Sequence, residues 1–207
     1  MSTRSAQAGS RRRHVSGFTL IEVLVAIVVL SFGLLGMVGL QAASLQANRD
    51  ARLQSTAILL ARELAEMMRG NKDVAIRTSN NPYLGEFAIG ALVPPTTSSC
   101  LNVGATPCPA KEDVARAQLT EWLGRVNDQL PGARVSICAD SAPFGASGLP
   151  VWACSAPAAG AAPNGVVIKI GWTRPSFRRA TSASDADALK YADVPSVIIP
   201  VTPGSPQ

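Results

Sequence analysis

Histidine is all but missing from this chain: its single copy, His14, lies ahead of the first apolar segment. Removal of that segment would leave nothing for Ser-His-Asp, Cys-His or histidine–metal chemistry. The patterns GxxxxGK[ST], HExxH, GxSxG and N-x-[ST] are absent as well. Phosphate-cradling, metalloprotease and hydrolase-elbow readings therefore have no residues to rest on. Charge is sparse and its excess is local. Of the 19 Lys and Arg, four (Arg4, Arg11, Arg12 and Arg13) precede the first apolar run, leaving 15 against 14 Asp and Glu. The formal charge of +5 thus describes an N-terminal address more than a nucleic-acid surface. The chain does not read as an enzyme, and no cofactor or metal is expected.

The four cysteines stand at positions 100, 108, 138 and 154, with no Cys-x-x-Cys pair. Those spacings and the want of histidine speak against zinc, and an even number of cysteines fits disulfides in an oxidising compartment. Four cysteines allow three connectivities. Locality favours Cys100 with Cys108 and Cys138 with Cys154, worth about 2.5 and 3 kcal/mol on the chain-entropy model. At 207 residues there is room for one ordinary domain and an appendage.

The appendage is the apolar run from Phe18 to Leu40, FTLIEVLVAIVVLSFGLLGMVGL, whose one charge is Glu22. As a helix it would measure about 34 Å, enough to cross a hydrocarbon core of roughly 30 Å. Arginines before the run place the N-terminus in the cytoplasm and the rest of the chain across the membrane. An ordinary secretory signal also starts basic and then apolar. Its core, however, is about 7–15 uncharged residues ending at a small-x-small site, and neither feature fits. A carboxylate inside a span costs on the order of 2.5–3.5 kcal/mol on insertion scales, so Glu22 needs a cationic partner. Gly33, Gly36 and Gly39 recur every third residue, each costing about 1 kcal/mol of helix propensity against Ala, and mark a soft segment or a close helix contact.

The stretch Gly17-Phe18-Thr19-Leu20-Ile21-Glu22 resembles the processing signal of type IV pilins and type II secretion pseudopilins. In that family a basic leader ends in Gly, Phe follows, and an apolar helix carries Glu at its fifth residue. The resemblance implies a leader over 1–17, cleavage after Gly17 by a prepilin peptidase, and methylation of the new amino group on Phe18. It also implies pairing of Glu22 with the Phe18 ammonium of a neighbouring subunit during assembly. LTEWLGRV, LPGARVSIC and VVIKIGW resemble the PilV group of minor pilins. The function implied is a structural minor pilin that supports pilus assembly or priming, adhesion and twitching motility. A minor pseudopilin of a type II secretion system, or a pilus-associated adhesin or DNA-binding subunit, is the alternative. Partners would be other major and minor pilins, the peptidase, the inner membrane and the pilus assembly machinery. The destination is the inner membrane with a periplasmic head, then the extracellular pilus.

The fold expected is α+β: a long N-terminal helix, its membrane half over 18–40 and its amphipathic half over 41–70, packed on a small antiparallel sheet in a disulfide-containing head over 71–207. Leu53, Ala57, Leu60, Leu64 and Met67 repeat at steps of four and three, one apolar stripe. Gly70 to Pro109 reads as turns and loop. Lys111 to Leu130 regains helical period and stops at Pro131-Gly132. Strand-like runs follow at Ala133 to Cys138, Pro150 to Cys154, Val166 to Arg174 and Ser196 to Val201. In the third of these Ile168, Ile170 and Trp172 share one face and Lys169 and Thr173 the other. Arg174, Arg178 and Arg179 around Phe177 form the one basic cluster after the leader. It reads as a solvated turn before it reads as a DNA contact, and a nucleic-acid partner is disfavoured. Asp185, Asp187 and Asp193 are too loosely spaced for calcium.

Overall fold

The computed structural model describes residues 17–88, 90–155, 165–175, 189–190 and 193–204. The chain divides into two compact units, Met1–Ala47 and Asn48–Gln207. Helix α1, Leu20–Gly70, runs from the first unit into the second. From Gln41 to Arg69 the sequence holds neither Gly nor Pro and is rich in Ala, Leu, Gln and Arg, residues that lose least on entering a helix. Past Gly70 the chain turns. The Asn71 amide donates to the Met67 carbonyl, and the Asn71 side chain donates to the Lys111 carbonyl at 2.9 Å.

The second unit continues with α2 (Lys72–Ala75), β1 (Gly85–Phe87), α3 (Lys111–Gln129), β2 (Arg134–Ala139), β3 (Val166–Gly171), β4 (Arg174–Pro175), β5 (Leu189–Lys190) and β6 (Val197–Val201). Four strands form one sheet in the order β1-β2-β3-β6, antiparallel throughout. β4 and β5 pair separately. The architecture is α+β, a long N-terminal helix packed against an antiparallel sheet with two disulfides in the head.

From α1 the core takes Ala57, Leu60, Ala61, Leu64, Ala65 and Met68. Three of these are alanines one turn apart, and small side chains there let neighbouring elements approach the helix axis. Val135, Ile137, Ile168 and Ile170 cover the sheet side, while Leu119, Trp122, Leu123 and Val126 of α3 complete the cluster. The buried stripe is thus wider than the one read from the sequence, and Leu53 and Met67 lie only half buried at its edges. Two cross-links tie α3 to α1. Trp122 Nε1 donates to the Leu60 carbonyl at 2.8 Å, fully buried, and Arg125 pairs with Glu63 at 2.6 Å near the surface.

The structure corrects three expectations. Pro150 to Cys154 is not a strand. Only the isolated bridge Phe144 to Pro150 forms there, because the carbonyls of Val151, Trp152 and Ala153 turn toward the Lys169 ammonium instead of a ladder. And the segment between Gly70 and Pro109 is not all loop. It contains α2 and β1, both too short to show a period. β3 stops at Gly171, three residues early, because the Thr173 amide and hydroxyl both donate to the Pro131 carbonyl, at 2.9 and 2.8 Å.

Candidate functional site

The N-terminal unit exposes its apolar surface. Phe18 is 83% exposed, Leu20 91% and Leu40 74%, and nothing in the most apolar stretch of α1 is buried within the chain. Thr19 caps the helix. Its carbonyl accepts from the amides of Glu22 and Val23, at 3.1 and 3.3 Å, and its Oγ1 lies 3.4 Å from the Glu22 amide. Thr19 and Glu22 thereby have the spacing of a capping box, and a carboxylate at the third helical position faces the positive end of the helix dipole. The Thr-x-x-Glu pattern was visible in the sequence, but Thr19 was not read as a cap. Glu22 is therefore held at a fixed place in the first turn, four residues beyond Phe18. Gly33, Gly36 and Gly39 lie inside the unbroken helix, and a Cβ added at any of them would meet nothing within 4 Å. Residues 1–16 lie outside the described residues, and Gly17 is the first residue within them.

In the head the four cysteines are joined Cys100 to Cys108 and Cys138 to Cys154, with Cα separations of 5.1 and 6.3 Å. The second bond closes a loop over the outer face of the sheet. Register places Ser136 opposite Lys169 and Cys138 opposite Val167, on the face away from Val135, Ile137, Ile168 and Ile170. Every residue of β3 is consequently buried. Lys169 and Asp140 form an ion pair at 2.5 Å with neither side chain exposed. Lys169 Nζ also donates to the carbonyls of Ala153 at 2.7 Å, Val151 at 2.9 Å and Trp152 at 3.4 Å. Asp140 Oδ1 accepts from the amides of Ala142 at 2.9 Å and Ser155 at 3.1 Å. Burial pushes the Asp140 carboxyl up. The Lys169 hydrogen bond, the two amides and the Lys169 charge outweigh that and hold it below the usual aspartate range. Arg134 stacks on the Trp152 ring, 4.4 Å from its centroid, a further tie between loop and sheet.

Cys138, Asp140 and Cys154 bring three ligand-type atoms within 4.8 Å of one another. The two sulfurs are spent on each other, and the ammonium of Lys169 sits on the carboxylate where a cation would. Two open clefts flank α3, of about 630 and 670 Å³. Four ion pairs draw on the residues that line them: Arg77 pairs with Glu112, Arg116 with Asp113, Lys111 with Asp73 and Arg69 with Glu66. No cluster resembling a catalytic constellation occurs among the described residues. Arg174 lies in β4, opposite Lys190. Arg178 and Arg179 lie outside the described residues, as do Asp185 and Asp187.

Two family models match adjacent parts of the chain. The prokaryotic N-terminal methylation motif covers residues 12–38, and type IV pilin Tt1218 covers residues 39–118. The first contains Gly17, Phe18 and Glu22, and the second runs from the end of the apolar segment into α3. No curated protein and no solved structure matches the chain.

Proposed function

Because the chain belongs to the type IV pilin family, a structural and non-enzymatic family, we propose that it is a minor pilin. In this reading it is made as a prepilin, cut between Gly17 and Phe18, and built into a type IV pilus to support its assembly, adhesion or twitching motility. The observation that carries the proposal is the contrast within α1. Its first part leaves every apolar side chain uncovered, while its later part is sealed into a head with its own core. A helix with that division needs an apolar surrounding at one end only, which the inner membrane supplies before assembly and other pilin helices supply afterwards. The N-terminus then faces the cytoplasm and the disulfide-bonded head the periplasm.

Glu22 is the residue on which assembly turns. Fixed in the first turn by Thr19, it presents a carboxylate to the methylated ammonium of Phe18 on the adjoining subunit, and one charge neutralises the other. Gly33, Gly36 and Gly39 give the same segment freedom to unwind when the subunit leaves the bilayer. Mass spectrometry of sheared pili tests the proposal, with a mature chain beginning at methylated Phe18 expected. A chain confined to the membrane fraction with its leader intact would overturn it. Glu22→Ala should be inserted and cleaved normally yet be depleted from filaments. Deletion should abolish pili and motility; blocked protein secretion with pili intact would assign the chain to a type II secretion system instead.

A further inference from the structure

The loop from Ala139 to Ser155 is held on the sheet by polar contacts that contain no sulfur. Lys169 is fully buried in the middle of β3, where an unpaired ammonium is strongly disfavoured, so its environment has to supply a counter-charge and acceptors. Asp140 provides the charge from the first arm of the loop, and the carbonyls of Val151, Trp152 and Ala153 provide acceptors from the second. Asp140 then reaches back across the loop to the Ser155 amide. Cys154 is therefore bracketed: the residue before it is held by Lys169 and the residue after it by Asp140. Its partner Cys138 is fixed independently by the β2–β3 ladder, opposite Val167 and two residues before Asp140. Ser136 Oγ lies beside the disulfide, 3.9 Å from the Cys138 sulfur and 3.5 Å from the Cys154 sulfur. Among the described residues the Cys100 sulfur meets Ser98 Oγ and the Asp113 carbonyl, both uncharged groups.

We propose that the Asp140–Lys169 pair is a template that selects the Cys138–Cys154 disulfide, so that closure of the loop and choice of cysteine partner are one coupled event. The pair forms in the reduced chain and brings the two thiols together. Any pairing of Cys138 or Cys154 with Cys100 or Cys108 pulls one arm away and leaves a buried charge uncompensated. Oxidation then proceeds by thiol–disulfide exchange with a disulfide donor such as oxidised glutathione. One protein thiolate attacks the donor and releases a glutathione thiol. The second protein thiol attacks the mixed disulfide and releases another, so two protein thiols are oxidised and one donor is reduced. Because coupling between sites is reciprocal, the disulfide strengthens the ion pair as much as the ion pair favours the disulfide.

Two measurements on the full chain in non-ionic detergent test this. The first uses Cys138→Ala/Cys154→Ala, which keeps both clamp residues and removes the bond. Exchange of the Ala142 and Ser155 amides, both donated to Asp140, should remain slowed at least about tenfold against an unstructured chain. A slowing smaller than that would show that the clamp does not precede the bond and would overturn the proposal. The second uses Lys169→Met/Asp140→Asn, which removes both charges together. The reduced variant is refolded in a glutathione buffer, trapped with iodoacetamide and mapped without reduction. The ratio of Cys138–Cys154 bond to mispaired species should fall roughly tenfold, as for strongly coupled neighbours, while Cys100–Cys108 forms as in the parent. A ratio that stays within about threefold of the parent's would overturn the proposal. Should this variant fail to form Cys100–Cys108, general misfolding is indicated and the amide-exchange result alone decides.

Discussion

Trp122→Phe weighs the seam between α1 and α3 directly. Trp122 is fully buried and its indole N–H donates to the Leu60 carbonyl across the seam at 2.8 Å. The substitution keeps an aromatic ring and removes the donor and part of the ring system. Loss of the hydrogen bond costs about 1 kcal/mol, the low side of the range, because the Leu60 carbonyl lies within a helix and keeps its backbone donor. Loss of about two buried ring carbons costs a further 1.6 kcal/mol or so in transfer free energy, before any cavity contribution. The sum, about 2–3 kcal/mol, is a large share of a total stability of roughly 5–15 kcal/mol. With a slope of about 2 kcal/mol per molar urea, the midpoint should move down by slightly more than 1 M. Urea unfolding of the full chain in detergent, followed by the fluorescence of Trp152 and Trp172, reads this out. Arg125→Ala is the companion measurement. It breaks the Glu63 pair on the same seam, with both side chains about one-third exposed, and should cost under about 1 kcal/mol. A Trp122→Phe loss below about 0.5 kcal/mol, or one no greater than that of Arg125→Ala, would refute the assignment of the head's stability to this buried seam.

Two glycine substitutions should act with opposite signs. Gly132 has φ +57°, and a Cβ there would lie 2.6 Å from Thr173 Cγ2 and 2.8 Å from its hydroxyl. Gly132→Ala should therefore destabilise by about 2–4 kcal/mol in the same urea assay, from left-handed strain and overpacking together. Gly124, inside α3, has open space around it, and Gly124→Ala should stabilise by about 0.5–1 kcal/mol. The Asp140 carboxyl is held low in the folded chain, so its contribution is complete above the unfolded value of about 3.9 and is lost as pH falls through the lower folded value. Urea midpoints should accordingly be steady near neutrality and decline below about pH 4, and Asp140→Asn should lower the plateau and flatten that decline. Thr19→Ala should fray the start of α1 by about 0.5–1 kcal/mol, seen as faster exchange at the Glu22 and Val23 amides with the head's amides unaffected.

The long elements were legible because their signals are local. α3 runs from Lys111 as expected and ends one residue before Leu130, where Pro131 and Gly132 stop it. β6 begins one residue after Ser196. Lys169 shows where local pattern fails. Alternation in VVIKIGW correctly sets it opposite Ile168 and Ile170, and a polar residue on the second face of an edge-rich sheet ordinarily meets water. Here that face is covered by a loop whose partners are backbone carbonyls sixteen to eighteen residues earlier in the chain. Backbone acceptors carry no side-chain signature, so neither the clamp nor the failure of Pro150 to Cys154 to form a strand could be read from composition or period. β1 was missed for a different reason: three residues cannot display an alternation. Thr19 alone was legible and unread, since a threonine three residues before a glutamate at the mouth of an apolar run is a cap signature.

The two units face opposite demands, and their energetics explain why one chain carries both. Burying a Leu, Ile, Val or Phe side chain is worth about 1.5–3 kcal/mol, and the exposed residues between Phe18 and Leu40 include Phe18, Leu20, Ile21, Leu24, Ile27, Leu30, Phe32 and Leu35. Those eight alone represent more than about 12 kcal/mol of unsatisfied burial, as much as a whole domain's stability. Such a helix cannot be left in water, and no part of its apolar stretch is covered by the chain itself. The head has the reverse property. Its sheet is covered on the inner face by α1 and α3, and over β3 on the outer face by the loop that Lys169 and Asp140 hold. A substitution in the core near Trp122 should therefore act on folding and leave the segment's demand for apolar company unchanged. On the proposed function, a substitution at Glu22 leaves that demand intact too and removes only the carboxylate that an N-terminal ammonium of another copy would neutralise.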